Sequence, residues 1–211
     1  MKKIMFIAAL AGAFIFTSCG GNQKSNTVEE SATTVEAKSE AVQSATIDLE
    51  KSKVEWKGSM LGLYSHHGYV NLKSAEISFS DGKISGGKFV VDMTTITPTD
   101  ENFNPETGST KEKLVGHLSS NDFFNVEEFP EATFEITGQE GSVVSGNLTI
   151  RGITKPEEVE NVSVTKNENG EVIITGDLVF DRKEFDVNFD MPVQDKVLSN
   201  DIELHFELIG R

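Results

Sequence analysis

The sequence predicts an all-β domain over residues 46–211, set behind an N-terminal leader and tether. Three observations predict it. Apolar and polar residues alternate with period two along most of this stretch, which puts one apolar face on each strand. The turn pairs Asp81-Gly82 and Asn169-Gly170 separate alternating runs, as in β-hairpins. Helical spacing of apolar residues is confined to one short stretch near residue 114.

The elements follow in chain order. Lys2 and Lys3 precede an apolar run from Ile4 to Phe16, and Thr17-Ser18-Cys19-Gly20 closes it. A basic start, a short apolar stretch and small residues at its end make a secretory leader over residues 1–18, too short to span a bilayer. Ser18-Cys19-Gly20 resembles a bacterial lipobox, so Cys19 is the expected lipid-attachment (palmitate) residue and the mature N-terminus. An ordinary signal peptide cut near Cys19 is the alternative. The acylated chain would anchor the protein in the bacterial cell envelope, facing the periplasm. Residues 19–45 lack aromatic residues and are rich in Ser, Thr, Glu and Gln, so they cannot bury enough apolar surface to offset their ordering entropy. As a disordered tether they would span roughly 25–30 Å.

About eight or nine strands are expected beyond. Val54 and Trp56 share a face; so do Ala75, Ile77 and Phe79 before Asp81-Gly82. Phe89, Val91 and Met93 form the next apolar face, then Ala132, Phe134 and Ile136, then Gly146, Leu148 and Ile150. Val162 and Val164 lead to Asn169-Gly170, after which Val172, Ile174, Gly176, Leu178 and Phe180 alternate. Phe185, Val187 and Phe189 predict a further strand. Ile202, Leu204, Phe206 and Leu208 close the chain with Glu203, His205 and Glu207 outward. The helix is expected over Thr110–Leu118, with Ser109 and Glu112 as a capping box and Leu114, Val115 and Leu118 as its stripe. A Phe-rich crossover, Phe123, Phe124 and Phe129, follows it and would plug or lid one end of the sheet. One apolar face per strand fits a sandwich or a closed barrel, and a closed barrel could hold a solid core or an apolar tunnel.

Charge and motifs exclude more than they select. Nineteen Lys and Arg against 34 Asp and Glu give a net charge of −15, which argues against nucleic acid as a partner and against electrostatic docking on an anionic membrane. One cysteine rules out an intrachain disulfide and a multi-cysteine zinc site. Gly82–Lys88 (GKISGGK) copies the start of a phosphate loop, but Phe89 stands where Ser or Thr should hold magnesium, and a strand follows. There is no G-x-S-x-G and no H-E-x-x-H. His66 and His67 would point to opposite faces of a strand; a metal site would need His117 or His205 to join one of them. Asp181-Arg182 and Asp92 either fix turns or present a charge pair at a barrel mouth. No catalytic residue, metal site or cofactor is therefore expected.

A set of segments, taken in order, resembles the YceI-like family of bacterial envelope proteins. They are Ser52-Lys-Val-Glu-Trp56, His67-Gly68, Gly86-Gly-Lys-Phe-Val-Val-Asp92-Met93 and His117-Leu118-Ser-Ser-Asn-Asp122-Phe123-Phe124. Phe129-Pro130-Glu-Ala-Thr133-Phe134, Gly146-Asn-Leu148-Thr-Ile150-Arg-Gly152-Ile-Thr154-Lys155-Pro156 and Asp181-Arg182 with Phe185 complete it. The resemblance implies an eight-stranded antiparallel, lipocalin-like barrel. Its interior would enclose a polyisoprenoid, quinone, fatty amide or similar long-chain lipid. Mapped by strand parity, that pore falls on Trp56, Phe79, Phe89, Val91, Met93, Phe134, Ile136, Leu148, Ile150, Leu178, Phe180 and Phe206. The helix and crossover would add Leu114, Leu118, Phe123 and Phe124, and His67 and Arg182 would contact the lipid head group. The expected function is binding and sequestration or transport of that lipid. A tethered interaction module with a solid core, or a histidine metal site, is the alternative. Whether the protein is a monomer or a homodimer is left open.

Overall fold

Period-two patterning becomes nine antiparallel strands in the computed structural model, which describes residues 43–61, 63–190 and 197–211. The leader, Cys19 and the tether up to residue 42 lie outside the described residues. The strands are β1 Gln43–Thr46, β2 Lys53–Met60, β3 Tyr64–Ser80, β4 Lys83–Pro98 and β5 Glu131–Glu140. They continue as β6 Val143–Ile150, β7 Ile153–Lys166, β8 Val172–Asp181 and β9 Leu198–Gly210. Neighbours run β3-β2-β9-β8-β7-β6-β5-β4, and β4 pairs back onto β3. Strands β2 to β9 thus close into an eight-stranded barrel, which leaves no free edge along it.

Strand β1 begins inside the segment assigned above to the tether. It pairs with the far half of β3, from Gln43 opposite Phe79 to Thr46 opposite Glu76, while β2 pairs with the first half, from Tyr64 to Val70. Ile47 then bridges to Gly210 of β9, and Thr46 and Arg211 exchange backbone hydrogen bonds of 2.9 and 3.0 Å. Residues 43–47 therefore fill the gap between β3 and β9 beyond the start of β2, and Ala45 and Ile47 are buried there. Gln43–Ala45 accordingly belong to the domain rather than to the tether.

Closure needs strongly coiled strands, and bulges supply the coiling. The long β3–β4 hairpin shifts register three times, between Tyr69 and Asn71, Leu72 and Ser74, and Ser78 and Phe79. Its turn, Asp81-Gly82, has φ of 53° and 74°, as the mirror-image hairpin turn requires. Two glycines make room for inward aromatic rings. A Cβ on Gly146 would lie 2.3 Å from Phe134 Cζ, and one on Gly176 2.6 Å from Phe206 Cζ.

The helix α1 runs Lys111–Ser119 and packs on β4. Its N-cap is Thr110, one residue later than the expected Ser109: the Thr110 hydroxyl accepts from the Lys113 N–H at 3.3 Å. The strand expected over Phe185–Phe189 does not form. Asp181 instead caps a 3-10 turn, Arg182–Phe185, accepting from the Lys183 N–H at 2.8 Å. Phe185 and Val187 are fully buried there, and Phe180 meets the Phe185 ring edge-on at 5.4 Å. The phosphate-loop lookalike is the hairpin turn residue Gly82 and the start of β4.

Candidate functional site

The barrel interior is unevenly filled. At the end away from α1, Ile77, Ile84, Val144, Ile174 and Leu208 are tightly buried. Toward the α1 end, inward residues that would be sealed in a solid core are only partly buried: Trp56, Phe89, Val91, Phe134, Leu204 and Phe206. Both sets face a cavity of about 350 Å³, within the lower part of the size range of small-molecule pockets.

Its wall is drawn from all eight barrel strands, α1 and the crossover. Trp56, Phe89, Val91, Met93, Phe134, Ile136, Leu148, Ile150, Leu178, Phe180 and Phe206 line it, with Leu114 and Leu118 of α1 and Phe123 and Phe124 of the crossover. Phe79, assigned to the pore by parity, does not: opposite Ile84 and beside Gln43 of β1, it packs against the core short of the cavity. Parity also passed over Met60, Val70, Leu72, Ile202 and Leu204, which line the cavity as well. The last two were already visible in the β9 alternation. Phe189 joins the wall from the chain after the 3-10 turn, edge-on to His117 at 4.5 Å and 5.3 Å from Phe123. The Trp56 Nε1–H donates to the Tyr69 carbonyl at 3.2 Å, so the indole presents no unpaired polar atom.

Neither residue expected at a lipid head group reaches this wall. His67 is exposed on the outer face of β3, since β3 sends its even-numbered residues inward here. Arg182 is fully buried beneath the 3-10 turn, where Nε donates to the Ser199 carbonyl at 3.0 Å and Nη1 to the Val187 carbonyl at 2.6 Å. Burial draws its guanidinium below the ordinary arginine value, against the opposing pull of Asp190 and Asp181. It fixes a turn. Asp92 does likewise within β4, accepting from the Thr94 N–H at 3.0 Å and the Thr94 hydroxyl at 2.6 Å.

The polar residues on the wall are Tyr64, His66, His117 and Thr133. His66 is tied to Asp100, which follows β4 and is 3% exposed. Its ring Nδ1 lies 3.1 and 3.2 Å from the two Asp100 oxygens. The same carboxylate accepts from the His67 N–H at 3.1 Å and the Asn102 N–H at 2.9 Å. Burial works to raise the Asp100 pKa, but these hydrogen bonds from Asn102, His67 and His66 outweigh it and hold the carboxyl below its ordinary value. Phe103 stacks on the His66 ring at 4.9 Å, and Tyr64 meets it edge-on at 5.2 Å. Sequence parity could have picked His66 over His67 by counting back in twos from buried Val70. Among the described residues no three His, Cys, Asp or Glu side chains are grouped to hold a metal ion.

A closed barrel around an apolar cavity narrows the kinship, and comparison decides it. A model of the YceI-like domain matches residues 46–209. The chain belongs to the YceI-like domain family. Among solved structures, BcnA of Burkholderia cenocepacia shares the YceI-like fold, with a TM-score of 0.59 at 22% identity over 78% of this chain and 99% of that one. A UPF0312 protein of Staphylococcus aureus strain N315 is 36% identical over 96 residues, 43% of this chain and 56% of that protein. A UPF0312 protein of Pseudomonas putida strain W619 is 31% identical over 108 residues, 49% of this chain and 52% of that protein. The chain thus spans about half the length of the curated relatives it matches. Among the described residues of this YceI-like chain no helix is long and apolar enough to cross a membrane.

Proposed function

We propose that this YceI-like protein binds a long-chain apolar lipid inside its barrel, sequesters or carries it in the bacterial cell envelope, and performs no catalysis on it. The polyisoprenoid, quinone and fatty-amide classes all fit an apolar wall. One observation carries the reading: mid-barrel aromatic rings, Phe89, Phe134 and Phe206 among them, stay partly accessible around a void. A solid-core interaction module would bury them. Each methylene moved from water into such a cavity contributes about 0.8 kcal/mol. A dozen contribute roughly 10 kcal/mol, comparable with the about 4–15 kcal/mol cost of association. An apolar chain can therefore be held with little polar contact. The placement in the envelope rests on the Lys2–Phe16 leader and on Cys19, whose acylation would anchor the chain beyond residues 19–42.

The test is native mass spectrometry, in mild detergent, of the full chain purified from a bacterial envelope, followed by organic extraction. A stoichiometric long-chain adduct supports the reading, and its mass names the cargo class. A bare protein mass that persists after incubation with polyprenols, quinones and fatty amides refutes it.

A further inference from the structure

We propose that His66, held by Asp100, is the head-group contact of the cavity, and that it selects lipids ending in a neutral hydrogen-bond donor, a hydroxyl or phenol, over phosphorylated ones. The inference rests on the lipid-binding reading above and sharpens it.

The argument begins with proton placement. The Asp100 carboxylate has two backbone N–H groups and the His66 ring converging on it. An ionised carboxylate only accepts, so Nδ1 of His66 must be the donor. In the neutral ring the remaining nitrogen, Nε2, is then an acceptor. It has no hydrogen-bond partner among the described residues, while the residue itself lines the cavity. The group that completes it must therefore donate. A hydroxyl does, and an ether does not. His117, the other histidine on the wall, has ring contacts with Phe123 and Phe189 but, among the described residues, no carboxylate to set its tautomer.

Charge excludes the phosphate. No Lys or Arg is among the residues described on the wall. Three described cations near this end already have partners. Arg182 serves two carbonyls, Arg151 serves the carbonyls of Asn121 and Phe123, and Lys111 lies 3.7 Å from Glu101. The Asp100–His66 pair carries −1 with a neutral ring and zero with a protonated one, so it offers an anion no net counter-charge. A phosphate beside a buried carboxylate would be desolvated without compensation.

The experiment titrates the full-length, delipidated protein with three ligands sharing one tail: geranylgeraniol, its methyl ether and geranylgeranyl phosphate. Trp56 is the only tryptophan and lines the cavity, so quenching of its fluorescence reports binding. The alcohol is expected to bind about tenfold more tightly than the ether, the size of effect when a buried partner goes unpaired, and more tightly still than the phosphate. Asp100→Asn frees the tautomer and is expected to shrink the alcohol-to-ether ratio to within about twofold; His66→Leu removes the acceptor and should do the same. The wild-type ratio needs no variant, so misfolding of either leaves the test intact. Equal binding of alcohol and ether, or phosphate binding as tightly as alcohol, overturns the assignment while leaving the lipid reading standing. Binding of none of the three, checked by native mass spectrometry, overturns both.

Discussion

Gly58→Leu should block the cavity and spare the barrel. Gly58 lines the cavity from β2, opposite His66 on β3 and Ile202 on β9. An added Cβ would find Ile202 Cδ1 at 3.6 Å, an ordinary van der Waals contact, with no backbone in its way. A leucine there projects about four carbon atoms into the space the ligand would fill. At about 0.8 kcal/mol for each methylene displaced, the loss is about 3 kcal/mol, or about a hundredfold in Kd. The apo protein should not suffer, because replacing a strand glycine removes roughly 0.5–1 kcal/mol of backbone entropy cost. The assay pairs a Trp56 quenching titration with geranylgeraniol and a thermal melt of the ligand-free protein. An unchanged Kd with an unchanged Tm would show that the lipid lies elsewhere. A collapse of Tm would show that the space beside Gly58 is not free.

Three further outcomes are expected. Asp100→Asn leaves one of two converging backbone N–H groups facing an amide N–H, and should cost about 1–3 kcal/mol at neutral pH. Because the folded Asp100 pKa is lowered, its stabilisation is present above the unfolded carboxylate value, near about 4, and is lost as pH falls through the folded one; urea midpoints should therefore drop less in the variant than in the wild type on acidification. Gly146→Ala would put a methyl 2.3 Å from Phe134 Cζ and 2.7 Å from the Glu135 carbonyl oxygen, an overpacking that should cost about 1–3 kcal/mol by chemical denaturation; a neutral result would mean that β5 and β6 relax apart freely. Arg182→Met leaves the Ser199 and Val187 carbonyls without their donor and should cost about 2–5 kcal/mol, while the preference among alcohol, ether and phosphate stays as in the wild type; a changed preference would return Arg182 to the head group.

Much of the wall was legible because a strand's period is two. Once Phe134 faces in, Ala132 and Ile136 must follow, and the same holds for Leu148 with Ile150 and for Leu178 with Phe180. The errors have three sources. Phe79 keeps an inward face, opposite Ile84, but sits beside β1 and stops short of the cavity. One extra residue in β3, Lys73, reverses the parity, so even-numbered His66, Val70 and Leu72 before it and odd-numbered Ile77 after it all face inward. Phe185, Val187 and Phe189 alternate as a strand would, but the Asp181 cap and the buried Arg182 make that stretch a turn.

The sequence by itself determined most of the strands, the hairpin at Asp81-Gly82, the helix near residue 114 and the family, all of them local patterns or their order along the chain. Tertiary structure alone decided three matters. Pairing of β2 with β9 chose barrel over sandwich, because only a pairing between strands far apart in the chain removes the edges. The cavity arose because inward rings such as Phe134 and Phe206, seated over Gly146 and Gly176, do not meet across the lumen, and no alternation encodes that distance. His66 rather than His67 became the polar group on the wall because one extra residue in β3, Lys73, reverses the face that counting back in twos from Ile77 would give, and because Asp100, 34 residues away, folds back to hold it.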